Sequence, residues 1–350
     1  METTQGEPRA TIHDVIFSGK KGEYFKLWLV NMLLSVVTLG IYSAWAKVRN
    51  TRYMFGHTQI GGHGFRYLAE PLRILKGRIV ALVLLVLFTW LSELNPVVGG
   101  GLMLLFIVAM PWLILQSLRF NLRMTTYRNV GFSFSGSYWG VVVNFILLPI
   151  LGYISFFIAM PWVMKRIDQY IHGHVSYGGK AFSVNTETGV YYLAALAALG
   201  VSIVGLSLAL IVFGGGAALS METLMSFGAG AFVFLYIAML LVMILVTSVY
   251  RCMIRNHLFQ AMQITDVVEL RSNVTVGAFT WLNLSNLLLL ICTLGLAFPV
   301  TQVRQASYLA GATKVKLHPG VDALLNTVQA NDSAIGEETA GMFDVDFSLI

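Results

Sequence analysis

The chain has 350 residues, of which 57% are hydrophobic and only 11% charged, with a mean hydropathy of +0.73. Those are membrane values, and they exclude a pair of ordinary soluble domains despite a length that would hold two. The net charge of +6 carries its information in its distribution, and no nucleic-acid partner is expected from it.

Residues 1–16 are polar and mixed in charge, so they are expected to form an N-terminal tail without the pattern of a secretory leader. From 17 to 67 runs a first unit: an apolar stretch over 24–46, then "RYMFGHTQIGGHGF" (52–65). In that second part the period changes from helical to alternating, and Gly61-Gly62 falls between two short alternating runs. A Gly-Gly pair in that position predicts a β-hairpin, because its turn needs positive φ at both central residues. Residues 68–123 hold two apolar segments, 79–94 and 97–118, of about the length that crosses a ~30 Å hydrocarbon core.

Residues 124–184 open with a strand pair in "TTYRNVGFSFSG" (125–136), continue with an apolar run over 138–164 and end in "QYIHGHVSYGGKAF" (169–182). A second spanning pair, 190–213 with 228–250, occupies 185–258. Residues 259–317 again give a strand pair, then an apolar run over 281–303. The remainder, 318–350, has six acidic residues and no Lys or Arg, the composition of a flexible tail.

Comparison of the chain with itself shows three copies of one unit. A gapless shift of 255 positions brings Asn31 onto Asn286, Thr38-Leu39-Gly40 onto Thr293-Leu294-Gly295, and Tyr53 onto Tyr308. The middle copy begins with Gly136-Ser137-Tyr138 opposite Gly22-Glu23-Tyr24 and, after a small length change, resumes with Trp162 opposite Trp45. Its tail shares the frame R-x3-Y-x2-G-H-x3-G-G-x2-F with the first copy. The recurring residues are Arg49, Tyr53, Gly56 and His57, then Arg166, Tyr170, Gly173 and His174, then Arg304, Tyr308 and Gly311, with Ala312 in place of a third histidine.

None of the 23 Lys and Arg lies in the loops "SELNPVVGGG" or "GGGAALSMETLMSFG" inside the two spanning pairs. Both ends of every copy are basic, so the positive-inside rule places them in the cytoplasm, with the N-terminus. A segment with both ends on one side cannot cross once. Each copy is therefore expected to be a re-entrant helical hairpin, folded near Leu39-Gly40, 149–152 and Leu294-Gly295 and reaching about halfway into the core. Asn31, Asn144 and Asn286 stand where they would satisfy exposed carbonyls or each other. The alternative is three full spans, seven in all, with the middle copy inverted.

The predicted fold is thus a mainly α-helical polytopic membrane protein, three repeats separated by two transmembrane hairpins, with short cytoplasmic β-hairpins. The Arg and Tyr rows lie where the helices leave the headgroups, which suits interfacial anchoring or contact with anionic lipid headgroups. His57, His174, His63 and His172 have no compact ligand spacing, so no metal or cofactor is expected, and the histidines are expected to hydrogen-bond their own turns. Asp168 stands where the first copy has Thr51, so it belongs to no repeated acid–base pair. No catalytic constellation is present, and the expected activity is non-catalytic: a scaffold or lipid-interacting module. A transporter or channel for a small neutral or weakly polar solute is the alternative.

"TLGIYSAWAKVRNTRYMFGHT" (38–58), with LGIY-x-x-W-A-K-V-R as its most specific part, and "FSGSYWG" (134–140) resemble the YjgN-type family of bacterial inner-membrane proteins. The resemblance covers nearly the whole chain and implies a polytopic inner-membrane protein. That family has no assigned function, so no site residues carry over. The third copy departs from the motif at "LGLAFPVTQVRQ".

Overall fold

A computed structural model describes residues 10–214 and 228–321. Five times the chain follows one course: a strand, two helices, and a return strand beside the first. The first pass is β1 (Thr11–Phe17), α1 (Lys21–Val37), α2 (Ser43–His57) and β2 (Thr58–Ile60). The second is β3 (His63–Tyr67), α3 (Pro71–Leu94), α4 (Pro96–Arg123) and β4 (Thr125–Tyr127). The third is β5 (Val130–Phe134), α5 (Tyr138–Ile154), α6 (Met160–Gly173) and β6 (Val175–Tyr177). After β7 (Lys180–Ala181), the fourth is β8 (Ser183–Val184), α7 (Thr188–Gly214), α8 (Gly228–Ala261) and β9 (Met262–Ile264). The fifth is β10 (Val268–Ser272), α9 (Val276–Cys292), α10 (Phe298–Gly311) and β11 (Thr313–Leu317).

All strand pairs are antiparallel, in the order β7-β6-β5-β4-β3-β2-β1-β11-β10-β9-β8. Its two ends, β7 and β8, are consecutive in the chain with only Phe182 between them. β7 pairs with β6 while β8 pairs with β9, and the Phe182 N–H donates to the Val175 carbonyl at 2.9 Å. The sheet therefore forms a nearly closed barrel, which leaves few unpaired edge groups. Its interior is filled: Val15, Tyr127, Tyr177, Ile264, Val268 and Val315 are buried together, with Phe65 and Phe132 against them. Tyr127 donates to the Ile60 carbonyl at 2.8 Å and Tyr177 to the Tyr127 carbonyl at 3.0 Å, so both buried hydroxyls are satisfied.

The expected hairpins are present, and their turns have the expected cause. φ is +54° and +80° at Gly61 and Gly62, and +55° and +84° at Gly178 and Gly179. Arg128 and Asn129 adopt the same geometry, +49° and +65°, without glycine. Thr11–Phe17, all but its last residue in the stretch read as a polar tail, forms β1 and closes the barrel between β2 and β11. Alternation hid it, because Ile12 and Ile16 point outward while Val15 is buried. The acidic stretch beyond residue 321 lies outside the described residues, as do residues 215–227 in the second spanning loop.

Among the described residues, four helices are long and apolar enough to cross a membrane: Pro71–Leu94, Pro96–Arg123, Thr188–Ile211 and Leu235–Ala261. They are the two pairs expected. Each of the other three helical pairs leaves the barrel on one strand and returns on its hydrogen-bonded neighbour, so both its ends lie at the barrel.

Two of the three helical turns fall where expected. Thr38 Oγ1 donates to the Leu34 carbonyl at 2.7 Å and accepts from the Tyr42 N–H at 2.9 Å, while Leu39 and Gly40 take φ of +50° and +90°. Thr293, Ala297, Leu294 and Gly295 repeat that arrangement. The middle turn is at 155–159 instead of 149–152. Ser155 caps it by accepting from Ala159, and Phe156 and Phe157 take the positive φ. Pro149 does not end α5, because a π-helical segment, Val143–Leu147, precedes it and relieves the usual clash of a proline ring with the turn below.

Candidate functional site

The repeated residues gather where the helices meet the barrel, and most tie that junction together. Each second-arm tyrosine reaches the start of its own first arm. Tyr53 OH accepts from the Lys20 N–H at 2.9 Å, Tyr170 OH donates to the Ser137 carbonyl at 2.9 Å, and Tyr308 OH donates to the Thr275 carbonyl at 3.3 Å. His57 Nδ1 bonds the Tyr53 carbonyl at 2.7 Å and His174 Nδ1 the Tyr170 carbonyl at 2.8 Å, each closing the last turn of its helix. His172 does the same to Asp168 at 2.9 Å. No cluster of three or more metal-ligating side chains occurs among the described residues.

The arginines divide. Arg49 Nη1 donates to Asn31 Oδ1 at 3.2 Å and to Tyr42 OH at 2.8 Å. Arg304 donates to Asn286 Oδ1 and Ser285 Oγ, both at 2.7 Å. The buried Asn31 and Asn286 thus bind these guanidinium groups and not each other, whereas Asn144 donates to the Gly140 carbonyl of its own helix at 2.8 Å. Arg166 is exposed and has no hydrogen-bond or ion-pair partner among the described residues. Gly56, Gly173 and Gly311 face open space. Gly56 instead takes part through its backbone, since a Cβ added at Gly64 would lie 2.6 Å from the Gly56 carbonyl oxygen.

Several joining residues carry no signal in the three-copy alignment, because they link one helical pair to the next. Arg52 donates to the Tyr67 and Ala69 carbonyls, Arg119 to Gly136, and Asn256 to Val274, at 2.9–3.1 Å. A backbone bond recurs at all five junctions: from Ser18 to His57, Leu68 to Met124, Ser135 to His174, Asn185 to Ala261, and Asn273 to Ala312, at 2.8–3.1 Å. These bonds join backbone groups, so the five junctions need share no residue type and the pattern is not legible in the sequence.

In the barrel, burial pushes the Tyr177 hydroxyl up to about 12. Hydrogen bonds from Lys316 at 2.9 Å and His318 at 2.8 Å hold Glu269 below the usual carboxylate range. Above the barrel, among the described residues, the helices border open clefts. One of about 360 Å³ lies among α6, α8, α9 and α10 and is bordered by Asp168, Arg251, Arg255 and Gln305. One of about 450 Å³ between α6, α7 and α8 is mostly apolar. One of about 520 Å³ is formed by α1, α2 and α10, with Lys47, Asn50 and Gln302 at its wall.

Residues 12–342 match the family described as "Bacterial protein of unknown function (DUF898)". The chain belongs to that family. It is 25% identical over 367 aligned positions to "Inner membrane protein YjgN" of Salmonella typhimurium, covering 87% of this chain and 88% of the relative. Against the protein of that name from Escherichia coli K12 it is 25% identical over 216 positions, 50% of this chain and 53% of the relative. Against the one from Escherichia coli O157:H7 it is 32% identical over 145 positions, 40% and 35% of the two chains. No solved structure matches. Membership of this family, with four membrane-length helices, makes the chain a membrane protein of an uncharacterised family.

Proposed function

We propose that this protein is a non-catalytic module of the bacterial inner membrane, its barrel on the cytoplasmic face and its helices turned into the bilayer. The observation that carries this is directional. Every helical pair begins and ends at the barrel, and Lys and Arg crowd that end, while the tips are apolar: Leu39, Phe156 and Leu294 are 94%, 88% and 93% exposed. Cationic side chains favour the cytoplasmic leaflet, and exposed leucine and phenylalanine favour lipid.

The three short pairs dip shallowly in this reading. Their second arms begin at Ser43, Met160 and Phe298, about two turns before Arg49, Arg166 and Arg304, so the tips pass the arginine row by roughly 9 Å. That is the depth of an interfacial element, less than the half-crossing inferred from length alone. Arg166 is the row's free contact for anionic headgroups; Arg49 and Arg304 chiefly fasten their hairpins. The shared turn chemistry supports descent of the three short pairs from one ancestral unit. The packed barrel interior favours this module over the alternative of a continuous solute passage.

Cysteine accessibility tests the placement. A reagent confined to the periplasm should label Asn95→Cys and leave Lys20→Cys, Arg128→Cys and Lys165→Cys unlabelled; labelling at Lys165→Cys would overturn it.

A further inference from the structure

We infer that the junction of α6, α7 and α8 is a binding site for an anionic phospholipid, its phosphate held by Arg251 and Arg255 and one acyl chain lying in the adjoining apolar groove. This rests on the membrane placement proposed above and not on the arginine row of the hairpins.

Arg251 and Arg255 are one turn apart on α8 and border the same cavity. Like charges at that spacing repel, and a helix normally offsets this with a nearby carboxylate. Here none lies within ion-pairing distance of either among the described residues. Asp168, on the opposite wall, accepts from Tyr191 OH at 2.8 Å instead. Arg255 has one protein acceptor, Thr313 Oγ1 at 3.0 Å, lies 4.1 Å over the Phe259 ring, and keeps a buried Nε–H with no acceptor. Arg251 is exposed and bonded to nothing. Among the described residues this pair of guanidinium groups beside a cavity has no compensating carboxylate, and phosphate oxygens fit their forked donors.

The second cavity identifies the rest of the ligand. It shares Tyr250 and Arg251 with the first, and is walled by Met160, Met164, Ala195, Ala198 and Val246. It extends toward Phe157 at the tip of the α5–α6 turn, away from the barrel. The cationic end therefore faces the barrel and the apolar end points along the spanning helices, which is the orientation of a phospholipid in the adjacent leaflet. A small soluble anion would have no use for the groove.

The test uses the full chain extracted from bacterial membranes in mild detergent. Native mass spectrometry reads bound lipid, and thermal shift is measured with phosphatidylglycerol, phosphatidylethanolamine or glycerol 3-phosphate. Wild type should retain a phosphatidylglycerol adduct and be stabilised by that lipid alone. Arg251→Gln should lower adduct occupancy about fivefold, the scale of one headgroup cation contact, and the double variant with Arg255→Gln should lower it further. Ala198→Phe should lower it with both arginines in place. Because Arg255 also holds Thr313, Arg251→Gln carries the test if the double variant fails to fold. Wild-type occupancy in Arg251→Gln overturns the site, as does an equal shift from glycerol 3-phosphate. Adduct loss only on neutralising Arg49, Arg166 and Arg304 would move lipid contact to the hairpin row, overturning this site while sparing the membrane reading, which fails instead by periplasmic labelling at Lys165→Cys.

Discussion

At the scale of single residues, the repeated tyrosine and asparagine rows act as fasteners. Tyr170→Phe removes the bond to the Ser137 carbonyl and should cost about 1 kcal/mol, lowering the thermal midpoint in detergent without changing membrane placement. Asn286→Leu should cost more than Asn144→Leu, because the first strips a partner from Arg304 and the second removes only a bond within its own helix; parallel thermal melts compare them. Gly179→Val forces a β-branched side chain to a φ of +84° and should destabilise the hairpin by about 1–2 kcal/mol, whereas Gly173→Ala should be tolerated. These roles were half legible in the sequence. The register of Arg, Tyr, Gly and His marked a junction, but which atoms they meet depends on a neighbouring arm some 33 positions away in the chain.

At the scale of elements, the turns between short helices were legible wherever glycine marked them. Leu39-Gly40 and Leu294-Gly295 did so; the middle turn was masked by Pro149 and Gly152, the stronger breakers in the sequence, while the actual turn uses Ser155 and two phenylalanines. Thr293→Val should free the Ala297 N–H and cost roughly 1 kcal/mol by loss of the cap, measured as a drop in thermal midpoint. A charge at a tip tests a different property. Leu294→Arg should leave the fold intact in detergent yet weaken resistance to alkaline extraction, since the exposed tip has no protein partner to lose.

At the scale of the whole molecule, stability depends on ring closure. Removing β1 would open two edges at once, at β2 and β11, and should raise amide exchange in both strands and not merely at the terminus. The barrel also has an acid-sensitive seam. Glu269 titrates below its ordinary range because Lys316 and His318 bond its charged form, so its contribution is present above the unfolded carboxylate pKa and lost as pH falls through the lower folded value. Melting on the acid side of neutrality should therefore fall less steeply in Glu269→Gln than in wild type.

What the sequence determined by itself was local and directional. Apolar length marked the four membrane-length helices, repeated Thr-Leu-Gly marked two of the short helical turns, and paired glycines set hairpin turns. Those signals need only neighbouring residues and a solvent boundary. The tertiary structure decided which hairpins pair, that the helices and strands among the described residues follow one fivefold course, and that Arg251 meets an apolar groove built from α6 and α7. Strand partners such as β1 with β11 are about 300 positions apart, and a short strand's hydrogen-bonding groups carry no mark of the strand they will meet.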